Sequence, residues 1–185
     1  MTATFGTLTW QRAVDHPDLL AASTHAAIGA WAAAEPEVAD AVLVAAIDPE
    51  LADTAAMSEA YDLPMAASVN CVLVAGRREG VERTAACLVR ASTRADVNNA
   101  VKRLLDVRKA SFLPMDRATA ESGMEYGGIT PLGLPEGYRV LADSGVAGAD
   151  LVVIGSGVRR SKVALPGDLL LRAPGVEVVD ALAIA

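Results

Sequence analysis

Two apolar runs, Val69-Asn-Cys-Val-Leu-Val-Ala75 and Thr84-Ala-Ala-Cys-Leu-Val-Arg90, flank a polar stretch that contains Gly76 and Gly80. Short apolar runs bounded by glycine predict a β-hairpin, and this pairing limits the fold more than any other segment. Before it, Pro17 suits the first position of a helix capped by Asp15 or His16, with Leu20, Thr24, Ala27, Ile28 and Trp31 along one stripe until Glu35-Pro36. Residues 41–47 read as a buried strand, and a short helix capped by Asp53 or Thr54 ends near Leu63-Pro64. Thr93-Arg-Ala-Asp96 predicts a capping box, opening a helix with Val97, Ala100, Val101, Leu104 and Leu105 on one face. Asn98, Lys102 and Arg103 fall on its wet side. Further strands are expected at 111–115, 138–142, 151–154, 163–165 and 176–179, with short helices at 116–122 and 166–171. This irregular alternation predicts a mixed α/β (α+β) fold with a curved sheet. It excludes a doubly wound parallel sheet.

A chain of 185 residues fits one domain with an added arm, here expected to be helical over residues 1–40. Hydrophobic residues make up 52%, which excludes disorder. The longest apolar run, 41–47, is far short of the roughly 20 residues of a membrane span. The N-terminal residues lack the basic-then-apolar order of a signal peptide, and two cysteines without a CxxC spacing suit a reduced compartment, so the expected location is cytoplasmic. The net charge of −7 argues against a general nucleic-acid binder. Yet residues 77–117 carry ten Arg or Lys against five Asp or Glu, one basic face on an acidic chain.

Few residues offer chemistry. His16 and His25 lack partners spaced as metal ligands, so no metal or other cofactor is expected. Cys71 and Cys87 lie on the hairpin without a nearby base and read as small core residues. Gly155-Ser156-Gly157 lacks the spacing of a nucleotide loop and reads as a tight turn after a strand. Two features stand out. Residues 122–137 (SGMEYGGITPLGLPEG) hold five Gly and two Pro, and the adjacent Gly127 and Gly128 would let backbone N–H groups approach a ligand carbonyl. Asn70 is a lone amide in an apolar strand, on the face of Val72 and Val74, and needs a partner if it is buried.

From about Val42 onward the chain resembles the YbaK/ProX family of aminoacyl-tRNA editing domains. The likeness rests on Ser68-Val-Asn-Cys-Val-Leu-Val74, on the loop 123–133 with Gly127 and Pro131 as anchors of a Gly-x-x-x-Pro signature, and on the runs 140–143, 153–157 and 163–165 in the family's order. It implies a curved, partly barrel-like mixed sheet flanked by helices, in an editing domain over residues 41–185 that hydrolyses the ester joining a wrong amino acid to tRNA. No metal is implied, and water or a ribose hydroxyl would attack. The partners implied are aminoacyl-tRNA and an aminoacyl-tRNA synthetase, with a monomer and a homodimer both open and no membrane contact. Gly127 and Gly128 would hold the ester carbonyl. Met124, Tyr126, Thr130 and Pro131, together with Ser156 and Gly157, would shape the substrate site. Arg77, Arg78, Lys102 and Arg159 would meet tRNA phosphates. Two positions depart from the family pattern: Asn70 stands where the family has Lys, and Lys162 where it often has an acid. Together they are expected to rebuild the catalytic site. The alternatives are a module that binds tRNA or a synthetase without cleavage, and a small-molecule binding domain.

Overall fold

The computed structural model describes residues 3–185. In chain order the elements are β1 (Ala3–Phe5), β2 (Leu8–Arg12), α1 (Ala22–Ala34), α2 (Val38–Ala41), β3 (Leu43–Ala46), α3 (Thr54–Ala60), β4 (Val69–Arg78), β5 (Val81–Arg90) and β6 (Arg94–Ala95). Then come α4 (Lys102–Leu104), β7 (Ala110–Phe112), α5 (Met115–Ser122), β8 (Tyr138–Asp143), β9 (Val152–Gly155), β10 (Ser161–Leu165), α6 (Gly167–Leu171), β11 (Val176–Val179) and β12 (Ala183–Ile184).

The predicted hairpin is β4–β5, paired from Val69–Arg90 to Arg78–Val81. Its turn is only Glu79-Gly80, both at positive φ, which matches the twist of a two-residue hairpin. Gly76 belongs to the strand instead, because a Cβ there would stand 2.5 Å from the Lys109 carbonyl oxygen. The hairpin is the centre of a mixed sheet in the order β11-β8-β5-β4-β7, with β8 parallel to β5 and to β11. A second, antiparallel sheet runs β1-β2-β3-β10-β9. The two meet edge to edge through a single parallel bridge, Ser68–Val153. Both wrap one core, to which β3, β9 and β10 give Val44, Ile154 and Val163, and β4, β5 and β8 give Leu73, Leu88 and Val140. The opposite face of the hairpin packs Val74, Ala85, Cys87 and Val89 against Val97, Val101, Leu105 and Leu182. Cover on both faces explains why the runs are almost uninterruptedly apolar.

Three expectations change. Residues 8–12 extend the antiparallel sheet beside β3, and α1 buries Ile28 and Trp31 in the common core, so the N-terminal segment is neither all helical nor a separate arm. Pro17 opens only a 3-10 turn, since Leu20 is extended, and α1 starts after Ala21. Thr93 does not cap a helix: its hydroxyl turns back to the Arg90 carbonyl, and Arg94–Ala95 pairs with β12. Asp96 caps instead, accepting from the Asn99 N–H, and the first turn is a π turn ahead of α4. No described helix is long and apolar enough to cross a membrane.

Candidate active site

Where β4 and β9 part beyond the Ser68–Val153 bridge, a cavity of about 280 Å³ opens. Its walls are residues 68–72 of β4, Val153, Ile154 and Gly155 of β9, Lys162 of β10, the start of α3, and Tyr126, Gly127 and Ile129 of the glycine-rich loop. The floor is apolar, with Met57, Val69 and Val153 among its residues, and the polar groups are few and convergent, as a small-ligand site requires.

Lys162 is the central feature. β10 sets it between Gly155 and Ala45, inside the antiparallel sheet, and it is only 7% exposed. Its Nζ donates to the Gly127 carbonyl oxygen at 3.1 Å, and among the described residues no carboxylate bonds it directly. Burial, then the nearby Arg159 charge, pull its pKa down to about 8, with Asp53 opposing. An ammonium kept this dry is a strong electrostatic partner for a developing negative charge. Across the cavity, the Thr54 hydroxyl donates to Asn70 Oδ1 at 3.2 Å, which leaves the Asn70 Nδ2 donors for a ligand. The Ser68 hydroxyl, on the same wall, is buried without a partner among the described residues.

The loop is shaped by close backbone packing. A Cβ on Gly155 would lie 2.3 Å from the Gly128 carbonyl oxygen and 2.4 Å from that of Ile129. One on Gly128 would strike the Val158 backbone at 2.6 Å. Gly127 lies at φ +79°, a region that glycine enters freely. The Gly128 N–H is already given to the Glu125 carbonyl at 2.9 Å, and its carbonyl accepts from the Gly157 N–H at 2.7 Å. Gly128 therefore fixes the loop and has no donor left for an ester. The N–H groups of Gly127 and Ile129 make no hydrogen bond among the described residues and sit on the cavity wall.

Asn70, Lys162, Gly127 and Tyr126 are thus brought together, and Arg159 joins them at the rim, donating to the Tyr126 carbonyl at 3.3 Å. Other expected substrate residues lie behind the wall. Met124 packs with Ala21 and Val158, and Thr130 and Pro131 are buried. Ser156 is locked by bonds to the Val158 and Ser161 carbonyls. Gly157 presses on α1, where a Cβ would lie 2.4 Å from that of Ala21. Arg77 and Arg78 sit at the hairpin tip, about 23 Å from Asn70 along β4. There they pair with Glu82 and Asp106. Lys102 lies on α4, away from the cavity. Cys71 lines the wall, but burial pushes its thiol far up, and that of Cys87 to about 12, so neither is a thiolate at neutral pH. Sequence reasoning missed Thr54, Ser68 and Ile129. The hydroxyl of Thr54 becomes informative only once α3 is set against β4.

A family model for the aminoacyl-tRNA editing domain matches residues 48–173. The chain belongs to the aminoacyl-tRNA editing domain family. A search of curated proteins found no match. Among solved structures, the hypothetical protein APE2540 has a TM-score of 0.72 at 16% identity, covering 85% of this chain and 99% of its own. A proposed trans-editing enzyme for prolyl-tRNA synthetase has a TM-score of 0.66 at 17% identity, covering 83% and 95%. A scaffold from a study of epitope backbone grafting has a TM-score of 0.67 at 20% identity, covering 85% and 96%. At these identities the likeness is one of fold, and it agrees with the mixed α/β architecture and the curved pair of sheets.

Proposed function

We propose that the protein is a free-standing deacylase that hydrolyses the ester bond of mischarged tRNA, with Lys162 as its electrostatic catalyst. The observation that carries this reading is a nearly dry ammonium held 3.1 Å from the Gly127 carbonyl in a cavity shared with Asn70. In the proposed reaction the ester carbonyl oxygen lies between the Lys162 ammonium and the Gly127 and Ile129 N–H groups. Water attacks the carbonyl carbon directly, or the neighbouring ribose hydroxyl first takes the acyl group as a new ester that water then attacks, and these donors stabilise the oxyanion. The bond to the ribose oxygen then breaks, that oxygen takes the proton given up by the attacking water, and the products are free amino acid and uncharged tRNA. Asn70 Nδ2 donates to the attacking oxygen or the ester, held in that orientation by Thr54. Tyr126 borders the mouth. Arg159 reaches the terminal phosphates, and Arg77 and Arg78 at the hairpin tip and Lys102 on α4 contact the tRNA further away.

Asn70, in the place of the family's usual lysine, favours a second reading in which the domain binds an aminoacyl-tRNA end or a synthetase without turnover. Incubation with tRNAs mischarged with Ala, Cys, Ser or Thr separates the two. Release of any one amino acid above the spontaneous rate is expected, while saturable binding with no release would select the second reading. Thr54→Val should slow deacylation by about 3–10-fold through loss of one hydrogen bond, with urea midpoints almost unchanged. Full activity in Thr54→Val would remove the orienting role of Thr54.

A further inference from the structure

We infer that Asp53 binds the free α-ammonium group of the aminoacyl ester, so that the cavity accepts substrates with an unblocked amine and discriminates against N-acylated ones. This rests on the deacylase reading for the identity of the ligand, and deepens it.

Asp53 occupies the N-cap position of α3, with extended backbone at φ −71° and ψ 139°, yet its side chain makes no capping hydrogen bond. An aspartate at an N-cap ordinarily accepts from the second or third N–H of its helix. Here the carboxylate instead borders the cavity, and it is the only carboxylate among the lining residues. It is 72% exposed and meets Arg159 only loosely, at 3.9 Å. Its charge is nevertheless felt at Lys162.

The chemistry of the substrate supplies the reason for that carboxylate. In an aminoacyl ester the ammonium is carried on the carbon next to the carbonyl. A carbonyl oxygen placed against Lys162 therefore brings a second cation into a small site that already holds the Lys162 and Arg159 charges. Like charges this close repel unless an anion stands between them. Asp53, on the cavity wall, near Arg159 and felt at Lys162, is the group placed to do so. Acetylation removes the ammonium and enlarges it, which leaves the carboxylate with no partner.

The test uses an RNA acceptor hairpin ending in a 3′-aminoacylamino-3′-deoxyadenosine, in which an amide replaces the ester so that binding is read without cleavage. Alanyl, seryl, cysteinyl and threonyl forms are compared by calorimetry with their N-acetylated counterparts. The tightest free-amine form should bind wild type about tenfold or more better than its acetylated form. Asp53→Asn preserves N-cap propensity and should bring the two within about twofold. Arg159→Gln should keep the preference. Equal binding of both forms by wild type, a preference that survives in Asp53→Asn, or a preference lost equally in Arg159→Gln would overturn the assignment. The last of these would reduce Asp53 to an anchor for Arg159. If wild type releases no amino acid from any mischarged tRNA but shows the Asp53-dependent preference, the deacylase reading fails and the ammonium site stands.

Discussion

Lys162→Met is expected to make the protein more stable and to abolish deacylation. In the folded chain the lysine is 7% exposed and titrates near 8, against 10.5 when free. Because the folded value is depressed, the charged form is held at a cost below pH 8, and stability rises as pH climbs from about 8 toward 10.5, where only the unfolded chain still binds the proton. At pH 7 the cost is on the order of 3 kcal/mol. Methionine keeps most of the apolar stem and removes the charge, so the melting temperature should rise by roughly 5–10 °C. Gly127 loses its donor, but its carbonyl borders an open cavity where water replaces it. Deacylation should fall by about 100-fold or more, the usual consequence of removing one oxyanion donor. Calorimetry and single-turnover assays read both effects. A destabilised Lys162→Met would mean that the ammonium is structural, and one that retains its rate would mean that it is not catalytic. A natural chain that keeps so costly a group in a cavity fits the pattern of stability exchanged for activity.

Gly155→Ala should have the largest effect of any glycine substitution at the site. The added methyl would sit 2.3 and 2.4 Å from two backbone carbonyl oxygens of the glycine-rich loop, and neither is the end of a flexible side chain. The loop has to move by about an ångström. A shift of that size costs about 100-fold in rate, and the strain should lower stability by about 3 kcal/mol. Gly123→Ala is the contrast. Gly123 ends α5 at φ +67° with open space around its Cβ position, so the cost is only the left-handed backbone, about 1–2 kcal/mol. Deacylation should then be close to normal. Urea unfolding and single-turnover rates on both variants check this. Equal rates in the two would show that the Gly155 contact does not set the loop.

The hairpin, the mixed fold class and the weight of the glycine-rich loop were legible in the sequence because local signals carry them. Apolar runs, glycine at a turn and a lone amide in an apolar strand need no knowledge of neighbours. Lys162 also stood out, as a lysine where the resembled family often has an acid. What could not be read was tertiary. Gly128 looked like an oxyanion donor, but its N–H is committed to Glu125, a bond that depends on the loop's own path. Ser156 and Gly157 looked like substrate groups, but Ser156 is tied to the Val158 and Ser161 carbonyls and Gly157 presses on Ala21 and Thr24, and nothing in the sequence near them announces those contacts. The first strands escaped notice because β1 and β2 are short and their partner β3 lies some thirty residues on. Asp53 was legible as a cap, and only the structure reveals that its side chain does not cap.

The pH dependence of single-turnover deacylation, corrected for spontaneous hydrolysis, tests the role of Lys162 most directly. The active form is the ammonium, present below its pKa of about 8 and lost above it. Whatever slope the attacking oxygen imposes, the logarithm of the rate should bend downward near pH 8 by one unit of slope, and Lys162→Arg, whose guanidinium does not titrate in this range, should show a lower rate without the bend. A wild-type profile with no bend between pH 7 and 9.5, or a bend that persists in Lys162→Arg, would contradict the account.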